Sequence, residues 1–304
     1  MLRVLLFVAL IPGPAIQASE PFDSSRAWEH LRQMVAMGPR PSSSAALRQT
    51  RAYIVKQLGE FGLTAHEQPF TALTPAGAIE MVNLRASLPG RRHDRILISG
   101  HYDTKLIRDS VFVGANDGAS SAAILIELAR VLKNRPREFT WEFVWFDGEE
   151  AICFDWSECR APDGSPDNTY GSRYYVQAAR AASEVARIRA MILLDMVGAR
   201  NLRARRDTGF SAPWLVDLIW SKAHVMGHGS TFVDSEYPVG GDDHQPFAEA
   251  GIPAVDIIDL ADFPQWHNMV CCDDLNHVSA RSLRIVGDVV VASLPDIEKH
   301  LMAR

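Results

Sequence analysis

Apolar positions along the chain alternate between two periods, and the alternation proposes a fold. Between Ala46 and Gly62, Leu47, Ile54, Leu58 and Phe61 fall at helical spacing, with Gly62 where a helix would stop. Arg95-Ile96-Leu97-Ile98-Ser99 reads as a short buried strand, Ala119 to Leu132 as a helix, and Trp141-Glu142-Phe143-Val144-Trp145-Phe146 as another strand. Met191-Ile192-Leu193-Leu194 and Ala254-Val255-Asp256-Ile257-Ile258 add two strands, and Leu283, Val286, Val290, Leu294 and Ile297 mark a closing helix. Strands interleaved with helices imply an α/β fold, a three-layer sandwich whose central, mostly parallel mixed sheet is flanked by helices. The weak linkers at 74–77, 88–90 and 160–168 do not divide the chain, so one catalytic domain is expected over residues 19–304.

Composition narrows the function classes. The 304 residues are 47% hydrophobic and 22% charged, which excludes disorder, collagen and coiled coil. A net charge of −6 without a dense Lys/Arg block argues against nucleic acid as a partner. Arg3, the apolar run from Val4 to Ile11, Pro12-Gly13-Pro14 and small residues ending at Ala18-Ser19 read as a signal peptide over residues 1–18, with a poorly packed strand as the alternative. The run is too short to span a bilayer, and no later segment supplies a transmembrane anchor. An exported protein, periplasmic or secreted and expected to be a monomer, follows. Export permits a disulfide among Cys153, Cys159, Cys271 and Cys272. Adjacent cysteines rarely bridge, so a bond from Cys271 or Cys272 to Cys153 or Cys159 is expected, with free thiols as the alternative.

In a parallel sheet, ligands gather outside the carboxyl ends of the strands. There the sequence puts His101 and Asp103 after the first strand, Asp147, Glu149 and Glu150 after the second, Asp195 after the third, and Trp266-His267 beyond the last. The loop Gly114-Ala115-Asn116-Asp117-Gly118 adds an aspartate at a helix start. Neutral imidazoles with carboxylates suit zinc, and five candidate positions, His101, Asp117, the Glu149-Glu150 pair, Asp195 and His267, exceed the needs of one tetrahedral ion. Either two ions share a bridging carboxylate, or one ion uses three donors and the others orient them. Glu149 beside Glu150 lets one carboxylate ligate while the other handles protons. No G-x-S-x-G elbow and no phosphate-binding glycine motif is present.

The segments "SGHYDTK", "GANDGASSAAILIELARVL", "WFDGEEA", "LLDMVGA" and "WHNM" resemble, in order, the motifs of the zinc aminopeptidase superfamily from His101 to the C-terminus. Within it, "DGEEA", Trp156, Tyr170-Gly171-Ser172-Arg173, "DDHQPF" over 242–247 and Trp266-His267 are similar to the glutaminyl cyclases, as is Met37-Gly38-Pro39-Arg40-Pro41 upstream. The resemblance implies one zinc on Asp117, Glu150 and His267, with Glu149 as general acid/base. Asp195 and Asp242 would pair beside Glu149, and Trp156 and Trp266 would wall the substrate pocket. His101 and Asp195 match the positions that hold a second zinc in aminopeptidases.

Two activities on peptide N-termini follow from the resemblance. The first is cyclisation of an N-terminal Gln to pyroglutamate with release of ammonia; the second is aminopeptidase hydrolysis with two zinc ions bridged by Asp117. A catalytically dead binding module is disfavoured because none of His101, Asp117, Glu149, Glu150, Asp195 and His267 is replaced. Of the other histidines, His244 is expected to orient its loop or approach the pocket, and His277 to be structural. His224 and His228 read as exposed loop residues, and His30, His66, His93 and His300 as surface positions. Asp103 is expected to orient His101.

Overall fold

The computed structural model describes residues 20–108, 110–267 and 272–303. Its first helices, α1 (Ser24–Ala36) and α2 (Ala45–Glu60), are started by Asp23 and Ser44, whose side chains accept first-turn backbone N–H bonds. A hairpin of β1 (Ala65–Thr74) and β2 (Gly77–Leu88) follows, and the 74–77 linker is its turn. The order continues β3 (Arg95–His101), α3 (Ala119–Leu132), β4 (Thr140–Phe146), α4 (Tyr170–Ala181), β5 (Ile188–Asp195) and β6 (Ala204–Asp207). Then come α5 (Pro213–Val225), β7 (Phe232–Tyr237), α6 (Gln245–Glu249), β8 (Ala254–Ile258) and α7 (Ala280–Met302).

Six strands form one sheet in the order β1-β2-β4-β3-β5-β8. β4, β3, β5 and β8 run parallel, and the β1/β2 hairpin joins antiparallel at β4. Alternate residues of the central strands face opposite cores. Ile96, Ile98, Phe143, Trp145, Ile192 and Leu194 pack with α1, α2, α3, α5 and α7, whereas Leu97, Val144, Phe146, Met191 and Leu193 pack with α4 and α6. Burial on both faces is why these strands read as continuous apolar runs. Register then aligns the strand ends, with His101 opposite Phe146 and Asp195 opposite Ile258. The last helix is pinned at its far end by Glu298, which accepts from the backbone of Glu138 and Phe139 and from Trp141 Nε1 at 3.0 Å.

The three-layer α/β architecture agrees with the sequence reading, and α3 and β8 have the expected bounds. The β1/β2 hairpin, α1, α4 and α5 were not marked by periodicity. The first half of β1 is exposed or half-buried on both faces, so alternation emerges only from Phe70 onward. Three expectations are corrected. His30 is not at the surface but buried, with Nδ1 2.7 Å from Tyr53 Oη. His224 lies on the last turn of α5 rather than in a loop. Cys153 pairs with Cys159, six residues on, at a Cα separation of 6.1 Å, so the expected bridge to the 271/272 pair does not form. The tight loop following Glu150 doubles back within reach; Cys272 is itself disulfide-bonded, and Cys271 lies outside the described residues. The signal-peptide segment also lies outside them, and among the described residues no helix is long and apolar enough to cross a membrane.

Candidate metal and catalytic site

The aligned strand ends bring the polar residues to one edge of the sheet. His101 and Asp195 are the last residues of β3 and β5, Glu149 and Glu150 follow β4, Asp117 immediately precedes Gly118 at the start of α3, and His267 follows β8. Close approach here requires glycine. Gly118 has φ +87°, and a Cβ on it would lie 2.3 Å from the Asp103 carbonyl oxygen and 3.2 Å from His101 Cε1. His267 itself adopts the left-handed region, with φ +47°, a strained conformation that turns its ring back onto the site.

Asp117 stands between two histidines. Its Oδ1 is 3.1 Å from His101 Nε2 and its Oδ2 is 3.2 Å from His267 Nε2. His267 Nε2 is also 3.1 Å from Glu150 Oε2, and His101 Nε2 is 3.1 Å from Asp195 Oδ1. Two three-donor sets therefore share one carboxylate: Asp117, Glu150 and His267, and His101, Asp117 and Asp195. Asp117 Oδ2 and Glu150 Oε2 are buried without an aligned hydrogen-bond donor. A buried acceptor without a donor is costly, and a cation between those oxygens and His267 would satisfy both. Carboxylate oxygens and imidazole nitrogens within one ion's reach fit zinc.

The surrounding shell fixes these donors. Asp103 Oδ1 lies 3.3 Å from His101 Nδ1, and the Asp103 carboxylate also accepts the backbone N–H groups of Glu149 and Glu150. One carboxylate thus orients a ring and shapes the acidic turn, extending the role expected for it. Asp273 accepts from Asn116 N at 2.8 Å and Asp117 N at 2.8 Å, holding the Asp117 turn. Lys105 donates its backbone N–H to Glu150 Oε1 at 2.9 Å and its Nζ to the carbonyls of Ala151 and Cys153. Arg40 is buried, and its guanidinium reaches the carbonyls of Val113 and Gly114. Sequence reasoning missed Asp273, Lys105 and Arg40 as site supports. Lys105 and Arg40 lie inside the motifs SGHYDTK and MGPRP, but nothing in residue type marked them as supports, and Asp273 had no signal beyond following His267 by six residues.

Electrostatics follow from packing so many acids out of water. Burial pushes Glu149 well above the usual carboxyl range, and Glu150, Asp242 and Asp243 add to it while His101 opposes. Burial likewise raises Asp195 to about 7, reinforced by Asp242 and resisted by His101. For His267, burial disfavours the imidazolium, but Glu150 and Asp117 outweigh it and raise the ring to about 10. His101 is raised too, its burial overcome by Asp195, Asp103 and Asp117. Protons held by these rings are the ones a metal ion would displace.

Asp195 Oδ1 lies 3.1 Å from His101 Nε2, and Asp242 groups with His244 and Asp256, one polar atom of each within 4.8 Å of the others. Asp242 is close enough to both Glu149 and Asp195 for its charge to be felt by each. His244 is buried, with Nε2 3.1 Å from Asp207 Oδ2. Over the donors, Trp266 stacks on His267 at a centroid distance of 4.4 Å, and Trp156 meets Trp266 edge-on at 6.0 Å. Both expected tryptophans thus lie against the His267 ring, Trp156 at 6.3 Å. Phe112 meets the same ring at 5.5 Å.

The sequence profile of Peptidase family M28 matches residues 83–294, most of the chain and every donor named above. The chain belongs to this family. Among solved structures, this M28 chain is similar to a glutaminyl cyclase from an Acidobacteriales bacterium, with 33% identity and a TM-score of 0.83 over 96% of this chain and all of the other. A leucine aminopeptidase precursor from Bacteroides thetaiotaomicron is 26% identical, with a TM-score of 0.81 over 91% of this chain and 98% of that one. The glutaminyl-peptide cyclotransferase-like protein of Bos taurus is 29% identical over 273 residues, 81% of this chain and 69% of its own length.

Proposed function

We propose that this M28 chain is a zinc-dependent glutaminyl-peptide cyclotransferase, converting the N-terminal Gln of peptides to pyroglutamate with release of ammonia. The observation that carries the chemistry is Glu149, buried with Oε1 lacking any partner and adjacent in sequence to Glu150 of the donor triad. Similarity to solved and curated glutaminyl cyclases over most of the chain supports the choice of reaction.

Asp117, Glu150 and His267 would hold one zinc, which supplies polarisation of the Gln side-chain amide carbonyl when bound. Glu149 takes a proton from the peptide's α-amine as that amine attacks the amide carbon, then gives it to the departing ammonia. Burial beside Glu150, Asp242 and Asp243 raises its proton affinity, which favours taking the amine proton. Trp156 and Trp266 restrict how the Gln side chain folds back on its own amine, converting a conformational search into a short intramolecular approach. Asp242 raises the proton affinity of Glu149, and Asp195 bonds His101, the ring that opposes it. The signal-peptide pattern of residues 1–18 supports export, with substrates that are periplasmic or extracellular peptides.

A second reading, aminopeptidase hydrolysis with two zinc ions, is favoured by one observation: Asp117 lies between two donor triads as a bridging ligand would. Mass spectrometry of a Gln-initiated peptide, corrected for the spontaneous reaction, separates the two. Loss of ammonia alone supports the cyclase. Free Gln plus a shortened peptide refutes it and makes His101 and Asp195 second-metal ligands.

A further inference from the structure

Beside the donor triad, two chain segments leave the site and become the walls of a surface groove that the reaction scheme does not use. One runs from Lys105, whose backbone N–H donates to Glu150 Oε1, into Leu106, Ile107 and Arg108. The other runs from Glu150 itself through Ala151 into Ile152, Cys153 and Phe154. The groove has a volume of about 580 Å³ and is also lined by the Pro75-Ala76 turn of the β1/β2 hairpin. That size falls among pockets that hold ligands, roughly 300–1,000 Å³.

These walls are held in place by the protein's own bonds. The buried Lys105 donates its Nζ to the carbonyls of Ala151 and Cys153, both at 2.7 Å, which ties one wall to the other. Asp167 accepts the backbone N–H groups of Ile152 at 3.2 Å and Cys153 at 2.8 Å, and the Cys153–Cys159 bridge closes the loop that follows. Yet Leu106 is 54% exposed and Phe154 48%. Both line the same groove, so they form a patch rather than two scattered surface residues, and an apolar patch on fixed backbone marks a binding surface that needs little ordering. Arg108 and Glu158 line it too, one of each sign, which leaves the groove no net charge to select by and leaves selection to the apolar walls.

We infer that this groove takes the peptide residues that follow the N-terminal Gln, and that Leu106 and Phe154 select apolar side chains there. The occupant follows from continuity with the site. Trp156, whose ring is 6.3 Å from that of His267, lies two residues beyond Phe154 on the same disulfide-closed loop. One loop thus sets one aromatic against the donor triad and lines the groove with another. A peptide with its Gln at the triad continues outward from there, and the groove is an apolar surface that shares backbone with both Glu150 and Trp156. This deepens the proposed cyclase reading and rests on it, since it requires a peptide N-terminus at the triad.

The test compares two peptides, Gln-Leu-Phe-Ala amide and Gln-Gly-Ser-Ala amide, on the mature protein and on Leu106→Ser and Phe154→Ser, both changes at exposed positions. Wild type should cyclise the apolar peptide with a kcat/KM about tenfold higher, the difference lying in KM. Each substitution should cut that preference about fivefold, as expected for apolar side chains that are half-covered on binding. Val225→Ser, at an exposed apolar position on α5, should leave the preference as it is. A wild-type preference below about twofold, or one that both groove variants keep, would overturn the inference. Equal losses on both peptides would overturn it in favour of a loop that only positions Trp156. If the wild-type protein does not cyclise Gln peptides, binding of the two peptides, labelled at their C-termini, to the Glu149→Gln protein still decides. The same contrast in Kd supports the groove while the choice of reaction falls, and equal Kd values overturn the groove.

Discussion

Replacing Glu149 by Gln separates chemistry from stability more cleanly than any other change in this site. The carboxyl group is buried, its Oε1 has no partner, and Glu150, Asp242 and Asp243 all raise its proton affinity. A positioned general acid/base contributes roughly 100- to 10,000-fold, or about 3 to 5 kcal/mol of barrier, and Gln can neither take nor return the proton. The same substitution removes a group crowded by like charges and offers an amide N–H to neighbouring carboxylates. Folding stability should therefore hold or rise, the reverse of the usual result of changing a buried residue. Three readings on one preparation are needed: ammonia release from a Gln peptide, the thermal midpoint and zinc content. The expected pattern is lost turnover, an unchanged or higher midpoint, and the wild-type zinc equivalent. Retention of more than about a tenth of wild-type kcat with zinc bound would refute the proton-transfer role, because the smallest effect typical of such a group is larger. Loss of zinc would refute the separation of Glu149 from the donor set.

Other expectations test the shell and the fold. Asp273→Ala strands the buried backbone N–H groups of Asn116 and Asp117, which at about 1 to 3 kcal/mol each should destabilise the protein and weaken zinc binding, measured by denaturation and chelator competition. Asp117→Asn should abolish both zinc retention and activity, since no other residue belongs to both donor triads; a variant that keeps its metal would dismiss the assignment. Burial lowers His30 from 6.5 to about 4, so its neutral form stabilises the fold above pH 6.5 and that stability is lost as pH falls towards 4. His30→Phe should flatten the acid limb of the stability curve by up to about 3 kcal/mol, and an unchanged limb would contradict the burial argument. Replacing Cys153 and Cys159 by Ser frees the loop that carries Trp156; KM should rise more than kcat falls, with about 2 kcal/mol of stability lost for so short a loop.

Much of the site was readable because chemistry at a parallel sheet accumulates where strands end. An apolar run followed by His101, by Glu149 and Glu150, or by Asp195 marks both the strand and its functional tip, since burial on both faces leaves the end as the place for charge. The hairpin and outer helices were not readable in the same way, because a half-exposed element satisfies its neighbours with few apolar residues and leaves a weak period.

What sequence alone determined, then, is the strand–helix alternation and which polar residues sit at the strand ends. Those are local properties of residue type and spacing. Tertiary structure decided what depends on separation: that Asp117 faces two histidines, that Asp273 holds its turn from 156 residues away, and that Cys153 bridges to Cys159. It alone decided that Asp242, His244 and Asp256, from different elements, gather in one buried cluster. Hydrogen bonds and ion pairs act over a few ångströms, and no pattern along the chain encodes which distant carboxyl groups packing will bring within that range.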